Sequence, residues 1–320
     1  MSIIPFNLTI EPLKKLLVIN VLGDNEVIMI EPQIYRNSEN RDLLRVLMYR
    51  KDKKVDVYFQ KGLVFDPDKF SIGEGLGHYG EVGFLEEKFE IDQCGVDLRL
   101  KFYDKHNRLI DIVIKETIPT KSRFPFLAPV GKDISNPDRF FLVDMLDFGF
   151  VKRDGTFVQI MIDGISLKLE NFPIPFGGKK VYFARYSSKL LIGEINASLK
   201  SLGETNLIAT VDGTTAEIRF DVPTVGLDGL NDGESKEGRW EYLSDSKKIT
   251  GGFYCYTRRG EYVDVLIDVC EKWKPGKLPI AFTLFTKIVS SFRTWPTLYQ
   301  WKGSVDLRDL SVKGGWHKKK

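Results

Sequence analysis

The chain has 320 residues and a net charge of +3, because 47 basic side chains are nearly balanced by 44 acidic ones. Its 42% apolar and 28% charged residues are typical of a folded protein with a substantial core. The basic clusters at residues 51–54 and 317–320 are short, and no apolar run reaches the roughly 18 residues that cross a bilayer. The sequence therefore predicts neither a nucleic-acid interface nor a membrane span.

The first residues of the chain lack a basic segment followed by an apolar stretch, so no secretory signal is predicted. Three cysteines without regular spacing, Cys94, Cys255 and Cys270, argue against a disulfide framework. A soluble, cytoplasmic protein is therefore expected.

Alanine, the best helix former, occurs only six times, whereas strand-forming residues are frequent and 28 Gly and 14 Pro interrupt them. Six short turns are each flanked by two apolar-rich runs, as in β-hairpins. The paired runs are residues 16–22 and 27–30, 44–49 and 55–59, 96–103 and 109–115, 146–152 and 156–162, 207–211 and 215–220, and 252–257 and 262–269. Successive hairpins form a meander, so the predicted fold class is all-β with antiparallel strands.

The pattern within the runs predicts which faces are buried. Residues 96–103 alternate between apolar and polar side chains, which predicts one buried and one solvated face. Residues 140–150 and 207–211 have apolar side chains at both odd-numbered and even-numbered positions, and these strands are predicted to be covered on both faces. Helices are expected to be scarce, and residues 40–50 and 81–90 are the segments with helical features.

Two segments rich in proline interrupt the strands, at residues 118–138 and 171–179. The second lies near the middle of the chain and is interpreted as a linker. It would join an N-terminal β-barrel-like domain, residues 1–170, to a C-terminal one, residues 180–320. Both domains are expected to be barrels of lipocalin or calycin type, or β-sandwiches. Residues 118–138 would then be a long excursion or a plug.

The glycine-rich stretch at residues 73–83 contains the pattern G-x-G-x-x-G. No strand–helix unit surrounds this pattern, so a dinucleotide site is not favoured. The alternatives are a loop that needs positive φ, or a loop over a pocket mouth. In the second case His78 and Tyr79 would be proton-transfer or hydrogen-bonding groups.

Two carboxylates lie among apolar residues of predicted strands. Asp144 has the parity of the apolar even-numbered residues from Phe140 to Phe150, and Glu194 has the parity of Leu190 and Ile192. A buried acid has either a raised pKa suited to proton transfer or a partner in a structural ion pair. Asp144 and Glu194 are therefore candidate catalytic residues, with a structural ion pair as the alternative.

No metal or cofactor motif is evident. The three histidines do not have the spacing of metal ligands, and the sequence contains no C-x-x-C and no G-x-S-x-G pattern. Metal, cofactor and serine-nucleophile chemistry are therefore not indicated by any motif. No cofactor and no metal are predicted.

The leading functional hypothesis is binding of a small hydrophobic molecule in a barrel or an interdomain pocket. The protein would be a carrier, or a metal-free, non-redox isomerase or cyclase with Asp144, Glu194, His78 and Tyr79 as acid–base candidates. One alternative is a carbohydrate-binding or carbohydrate-active β-sandwich, with exposed Trp and Tyr beside paired carboxylates. The other is a structural or assembly protein with apolar surface patches and no deep pocket. The sequence does not indicate the oligomeric state.

Overall fold

The computed structural model describes residues 2–37, 39–64, 66–67, 70, 72–119, 123–131, 134–202, 206–221, 226–274, 276, 278–289, 292 and 294–320. Within these residues the chain forms 25 strands, one short 3-10 turn at Leu227–Gly229 and one α-helix, α1 (Ile280–Ile288). The strands are β1 (Ser2–Ile4), β2 (Asn7–Glu11), β3 (Leu13–Leu22), β4 (Val27–Arg36), β5 (Asp42–Arg50), β6 (Val55–Phe59), β7 (Leu76–Glu81), β8 (Glu86–Ile91), β9 (Val96–Tyr103), β10 (Leu109–Glu116), β11 (Phe124–Ala128), β12 (Phe140–Lys152), β13 (Thr156–Ile162), β14 (Ile165–Ser166), β15 (Lys168–Leu169), β16 (Val181–Ser187), β17 (Leu190–Asn196), β18 (Lys200–Leu202), β19 (Asn206–Val211), β20 (Thr214–Phe220), β21 (Ser235–Ser244), β22 (Lys247–Arg259), β23 (Tyr262–Val269), β24 (Tyr299–Asp306) and β25 (Ser311–Lys318).

The strands form four sheets. The largest has eleven strands: β2, β17, β12, β16, β3, β4, β5, β6 and β7 in order, with β11 paired to β12 and β15 paired to β3. A five-stranded sheet runs β14-β13-β10-β9-β8, a seven-stranded sheet runs from β19 to β25 in sequence order, and β1 pairs with β18. Every described pairing is antiparallel except that of β6 with β7. The predicted antiparallel all-β fold is confirmed, with curled sheets that form half-barrels and a sandwich-like arrangement.

Five of the six predicted hairpins are present: β3–β4, β5–β6, β9–β10, β19–β20 and β22–β23. The sixth prediction, a hairpin of residues 146–152 with 156–162, is wrong. The turn at 153–155 instead carries the chain between sheets, since β12 stays in the large sheet and β13 pairs with β10. A turn signal identifies a reversal of direction but not the neighbour of the strand that follows.

One face of the large sheet carries two cores. At one end, Leu17, Ile19 and Ile30 pack against alternating residues of the five-stranded sheet such as Leu98 and Ile112. At the other end, residues of β12 and β17 pack against the seven-stranded sheet, whose contribution is largely aromatic; members of this core include Phe140, Leu142, Leu191, Trp240, Tyr254, Trp301 and Trp316. The large sheet therefore holds the two smaller sheets side by side.

The opposite face of the large sheet carries a third core, in which Val143, Met145 and Phe148 pack with Phe282 of α1. Residues 140–150 are thus covered on both faces, as predicted. The same prediction is wrong for residues 207–211, because β19 is the edge strand of its sheet and Ile208 is 60% exposed.

The segments with helical features are strands. Residues 42–50 form β5, which is buried on both faces, and residues 86–91 form β8. The helix α1 was not predicted from the sequence. Its nine residues include β-branched and aromatic side chains of low helix propensity, so its packing rather than its composition stabilises it.

Residues 171–179 lead directly into β16 of the large sheet. Strands β16 and β17 both pair with β12, and they also pair with β3 and β2 respectively. Residues 206–318 supply the whole seven-stranded sheet. The division into two independently folding domains at residues 171–179 stays a prediction.

Candidate functional site

Asp144 lies in β12 at the interface between the large sheet and the seven-stranded sheet, and it is only 2% exposed. Its neighbours across the strands are Leu127 and Leu191. Ser244 and Tyr242, both in β21, face its carboxyl group from the opposing sheet. The predicted lone acid on an apolar face is therefore buried between two sheets.

Burial raises the pKa of Asp144 to about 6, while the hydroxyl of Ser244 and the ammonium of Lys247 oppose the rise. Burial also raises the pKa of the Tyr242 phenol, and the nearby Asp144 carboxyl adds to that effect. A carboxyl with this pKa can exchange a proton near neutral pH. The aromatic packing around it leaves it shielded from solvent, so the arrangement fits a buried structural acid better than a group that meets a substrate.

Glu194 lies on the neighbouring strand β17 but on the other face of the large sheet. The register pairs Glu194 with Phe141 and Gly193 with Leu142, so Glu194 has the orientation of Phe141 and Asp144 that of Leu142. Arg139 donates to the Glu194 carboxylate at 3.1 Å and also lies 3.7 Å from Glu11. Glu194 is thus part of an ion pair, which was the alternative to a catalytic role for this residue.

His78 and Tyr79 lie in β7, the last strand of the large sheet. The His78 ring lies 5.5 Å from the ring of Tyr58, and Tyr79 is 50% exposed. Gly73 and Gly75, just before the strand, have φ of 63° and 87°, which favours glycine. The glycine-rich stretch is therefore a turn leading into an edge strand.

The four candidate residues do not converge on one site. Six strand spacings of about 4.8 Å separate β12 from β7, which is about 29 Å along the sheet. Asp144 and Glu194 lie on adjacent strands, three residue positions apart, and point to opposite faces of the large sheet. Joint acid–base chemistry by these four residues has no geometric support.

A polar network that the sequence analysis missed lies on the face of β4 and β5 opposite the core of the five-stranded sheet. Arg45 donates to Gln33 at 2.7 Å and to the hydroxyl of Tyr35 at 2.6 Å. Gln33 donates to Glu31 at 2.7 Å, and the Tyr49 hydroxyl donates to Glu31 at 2.8 Å. The signal was present in the sequence, because Glu31, Gln33 and Tyr35 place a polar group at every second position in the second half of β4.

Burial dominates the electrostatics of this network. It raises the pKa of Tyr35 to about 12 and raises the pKa of Tyr49 well above its ordinary value, with Glu31 adding to the second shift. It lowers the pKa of Arg185, which stacks on Phe183 at 4.2 Å, to about 10. Both phenols therefore stay protonated at neutral pH; the Tyr35 hydroxyl accepts from Arg45 and the Tyr49 hydroxyl donates to Glu31, so the network ties β4 to β5.

Two open grooves lie on the outer face of the seven-stranded sheet. One, of about 300 Å³, is lined by residues that include Cys255, Asp264 and Lys302. The other, of about 430 Å³, is lined by residues that include Arg239 and Phe253. Both are shallow depressions over strands rather than barrel interiors. In the described part of the chain, no group of three or more His, Cys, Asp or Glu side chains could hold a metal ion.

The helix α1 carries a cluster of exposed apolar side chains. Phe282 and Thr286 are buried beneath it, whereas Ile280, Leu284 and Ile288 are 91%, 59% and 67% exposed. Residues four apart lie on one side of a helix, so the three form an apolar ridge along its outer side. We call Ile280, Leu284 and Ile288 the α1 ridge.

Comparison of the chain with protein-family models, curated proteins and solved structures finds no match. No helix among the described residues is long and apolar enough to cross a membrane. The structure therefore defines the protein at the level of an all-β chain built from packed curled sheets with one exposed apolar helix.

Proposed function

We propose that the protein is a structural or assembly component that works by attaching to a larger structure through its surface. The observation that carries this proposal is the α1 ridge. Three large aliphatic side chains point to solvent from a helix whose other side is anchored in a core. Exposed apolar groups that are clustered rather than scattered mark contact sites, because leaving them in water is unfavourable.

The interiors of the sheets support this proposal over the binding of a small apolar molecule. Large side chains fill the space between the sheets: Phe140 stacks on Trp316 at 4.7 Å, and the Phe6 ring lies 5.1 Å from that of Phe220. A carrier needs an enclosed apolar cavity, typically of about 300–1,000 Å³. The two grooves found here reach that volume but are open and partly polar.

A carbohydrate-binding function has less support than attachment through α1. Such a site would present exposed Trp and Tyr for stacking against sugars. Trp240, Trp295, Trp301 and Trp316 are all at most 3% exposed and belong to the core beneath the seven-stranded sheet. The exposed tyrosines Tyr79, Tyr103 and Tyr262 lie on three separate strands, β7, β9 and β23, and so do not form one stacking surface.

The proposal is tested with freshly purified full-length protein. We expect native mass spectrometry and an organic extract to show no bound apolar molecule. We further expect the protein to associate with itself or with an added surface, and the double variant Leu284→Gln/Ile288→Gln to lose that association. A stoichiometric apolar ligand would overturn the proposal in favour of a carrier. The proposal would also be overturned if the double variant associated as wild type does in every assay.

A further inference from the structure

We propose that the surface recognised by the α1 ridge is an anionic lipid bilayer, on which the helix lies in the plane of the interface. This inference rests on the proposed function and names the partner of the same surface. The supporting observations are the ridge itself and the distribution of charge around it.

The chain around α1 is basic and contains no acid. From residue 272 to residue 298 there are five basic residues and no Asp or Glu. Lys272, Lys274 and Lys287 are exposed, and none of them forms an ion pair within the described chain. A cluster of unpaired cations beside an apolar stripe is complementary to a surface that is negative outside and apolar beneath.

A second basic segment without acids packs beside the helix. Residues 171–193 contain no Asp or Glu, and within them the Phe176 ring lies 6.0 Å from the Phe282 ring. Lys179 and Lys180, a few residues after Phe176, are exposed, and Ile174 is 37% exposed. The positive, partly apolar surface therefore extends beyond one helix, as a flat partner requires.

A bilayer fits these features better than a nucleic acid or an acidic protein. A nucleic acid would use the cations but leave Ile280, Leu284 and Ile288 in water. The ridge offers three aliphatic groups in a row and no described aromatic or arginine anchor, whereas protein interfaces are enriched in aromatic residues and arginine. Aliphatic groups beside lysines match the apolar and cationic sides of an interfacial helix.

The test is cosedimentation of the full-length protein with vesicles. We expect binding to phosphatidylcholine vesicles that contain phosphatidylglycerol, little binding to phosphatidylcholine alone, and weakening as salt rises from about 50 to about 500 mM. Leu284→Gln/Ile288→Gln should lower the partition coefficient by roughly tenfold or more, because two aliphatic groups no longer enter the acyl region. Lys274→Gln should lower it about fivefold.

Matched variants elsewhere serve as controls. Ile165→Gln removes an aliphatic group of similar exposure from β14, and Lys61→Gln removes an exposed lysine far along the sequence. Both should bind vesicles as wild type does. Circular dichroism and thermal unfolding of each variant would separate a loss of binding from a loss of fold.

Three results would overturn the bilayer inference: no vesicle binding by wild type, equal binding to both vesicle types, or full binding by the ridge variant. If wild type instead bound soluble polyglutamate or itself, and the ridge variant did not, the surface-attachment function would stand and the bilayer would be excluded. If the ridge variant behaved as wild type in all of these assays, both proposals would fail.

Discussion

The hydroxyl end of the Tyr242 ring lies against Gly193, so that the Tyr242 side chain of β21 in the seven-stranded sheet packs directly on the backbone of β17 in the large sheet. A Cβ atom at Gly193 would overlap the Tyr242 hydroxyl and its ring carbon atoms. This contact sets how closely the two sheets approach beside Asp144. It also makes the interface sensitive to a single methyl group.

Gly193→Ala is expected to destabilise the protein by about 1–3 kcal/mol, because the added methyl group overpacks a closed interface. Tyr242→Phe alone should be neutral or slightly stabilising, since the buried hydroxyl has no hydrogen-bond partner in the described chain. In the Phe background, the cost of the alanine should fall. Urea unfolding of the four proteins in a double-mutant cycle measures this coupling.

Gly83→Ala, with open space around its Cβ, is the matched control. Additive effects at positions 193 and 242 would contradict the contact.

Asp144 is expected to make the protein less stable as pH rises. Its folded pKa of about 6 lies above the ordinary aspartate value of 3.8, so folding favours the protonated form. The stabilisation is complete below about pH 4 and is lost as pH rises through 6, by at most about 3 kcal/mol for this shift. Asp144→Asn, which stays neutral, should flatten the pH dependence between 4 and 7.5.

Ser244→Ala is expected to change the pH dependence in the opposite direction from Asp144→Asn, because the Ser244 hydroxyl opposes the rise of the Asp144 carboxyl pKa. Its removal should raise that pKa further and steepen the loss of stability with pH. Denaturant unfolding at several pH values measures both variants. Parallel curves for wild type and Asp144→Asn would rule out a buried acid with a raised pKa.

The fold class was predictable because alternation of apolar residues and turn chemistry are local signals. In β9, Val96, Leu98, Leu100 and Phe102 are buried as predicted. The pairing of β13 with β10 was not predictable, because it depends on which sheet edge a strand meets after its turn. The short helix α1 was missed for a related reason, since its stability comes from the contacts of Phe282.

The candidate site was only partly predictable, for a reason visible in β12. Asp144 does share a face with Phe140 and Leu142, as its parity predicts, but Phe148 packs in the core on the opposite face. The pairing of β11 with β12 shifts register between Phe124 and Phe126, so the alternation is interrupted and parity no longer predicts the face. Sequence alone does not reveal such an irregularity.

A buried ion pair at the end of β10 is expected to be among the most sensitive positions. The Glu116 carboxylate accepts hydrogen bonds from the backbone amides of Val96 at 2.8 Å and Lys152 at 3.0 Å, and it lies 3.5 Å from the Lys152 ammonium. Glu116→Ala should cost about 3–5 kcal/mol, because a buried cation and two amides lose their partner.

Glu116→Gln should cost less than the alanine variant, because the amide oxygen can still accept one of the backbone hydrogen bonds. Glu241→Ala, which breaks an exposed pair with Lys248 on the outer sheet face, is the control and should cost about 0–1 kcal/mol. The free energy of unfolding in urea gives all three values. A Glu116→Ala variant as stable as the control would mean that water reaches this carboxylate.

Truncation on the buried side of α1 is expected to lower the free energy of unfolding strongly, and truncation on its exposed side to change it little. The ring of Phe282 lies 5.2 Å from those of Phe124 and Phe126, and its side chain is 3% exposed. Phe282→Ala should therefore lower the free energy of unfolding by about 3–5 kcal/mol. Leu284→Ala, two residues further on, should change it by no more than about 0.5 kcal/mol, because an exposed leucine loses no packing and alanine suits a helix equally well.

The measurement is urea unfolding of both variants, with Thr283→Ala as a control at the half-buried position between them. A large loss of stability in Leu284→Ala would show that the ridge is packed within the protein, and the attachment surface would then disappear. If Leu284→Ala retains full stability, the aliphatic group at position 284 contributes nothing to the fold. The group is then free for a contact outside the chain, and the vesicle experiment measures whether it makes one.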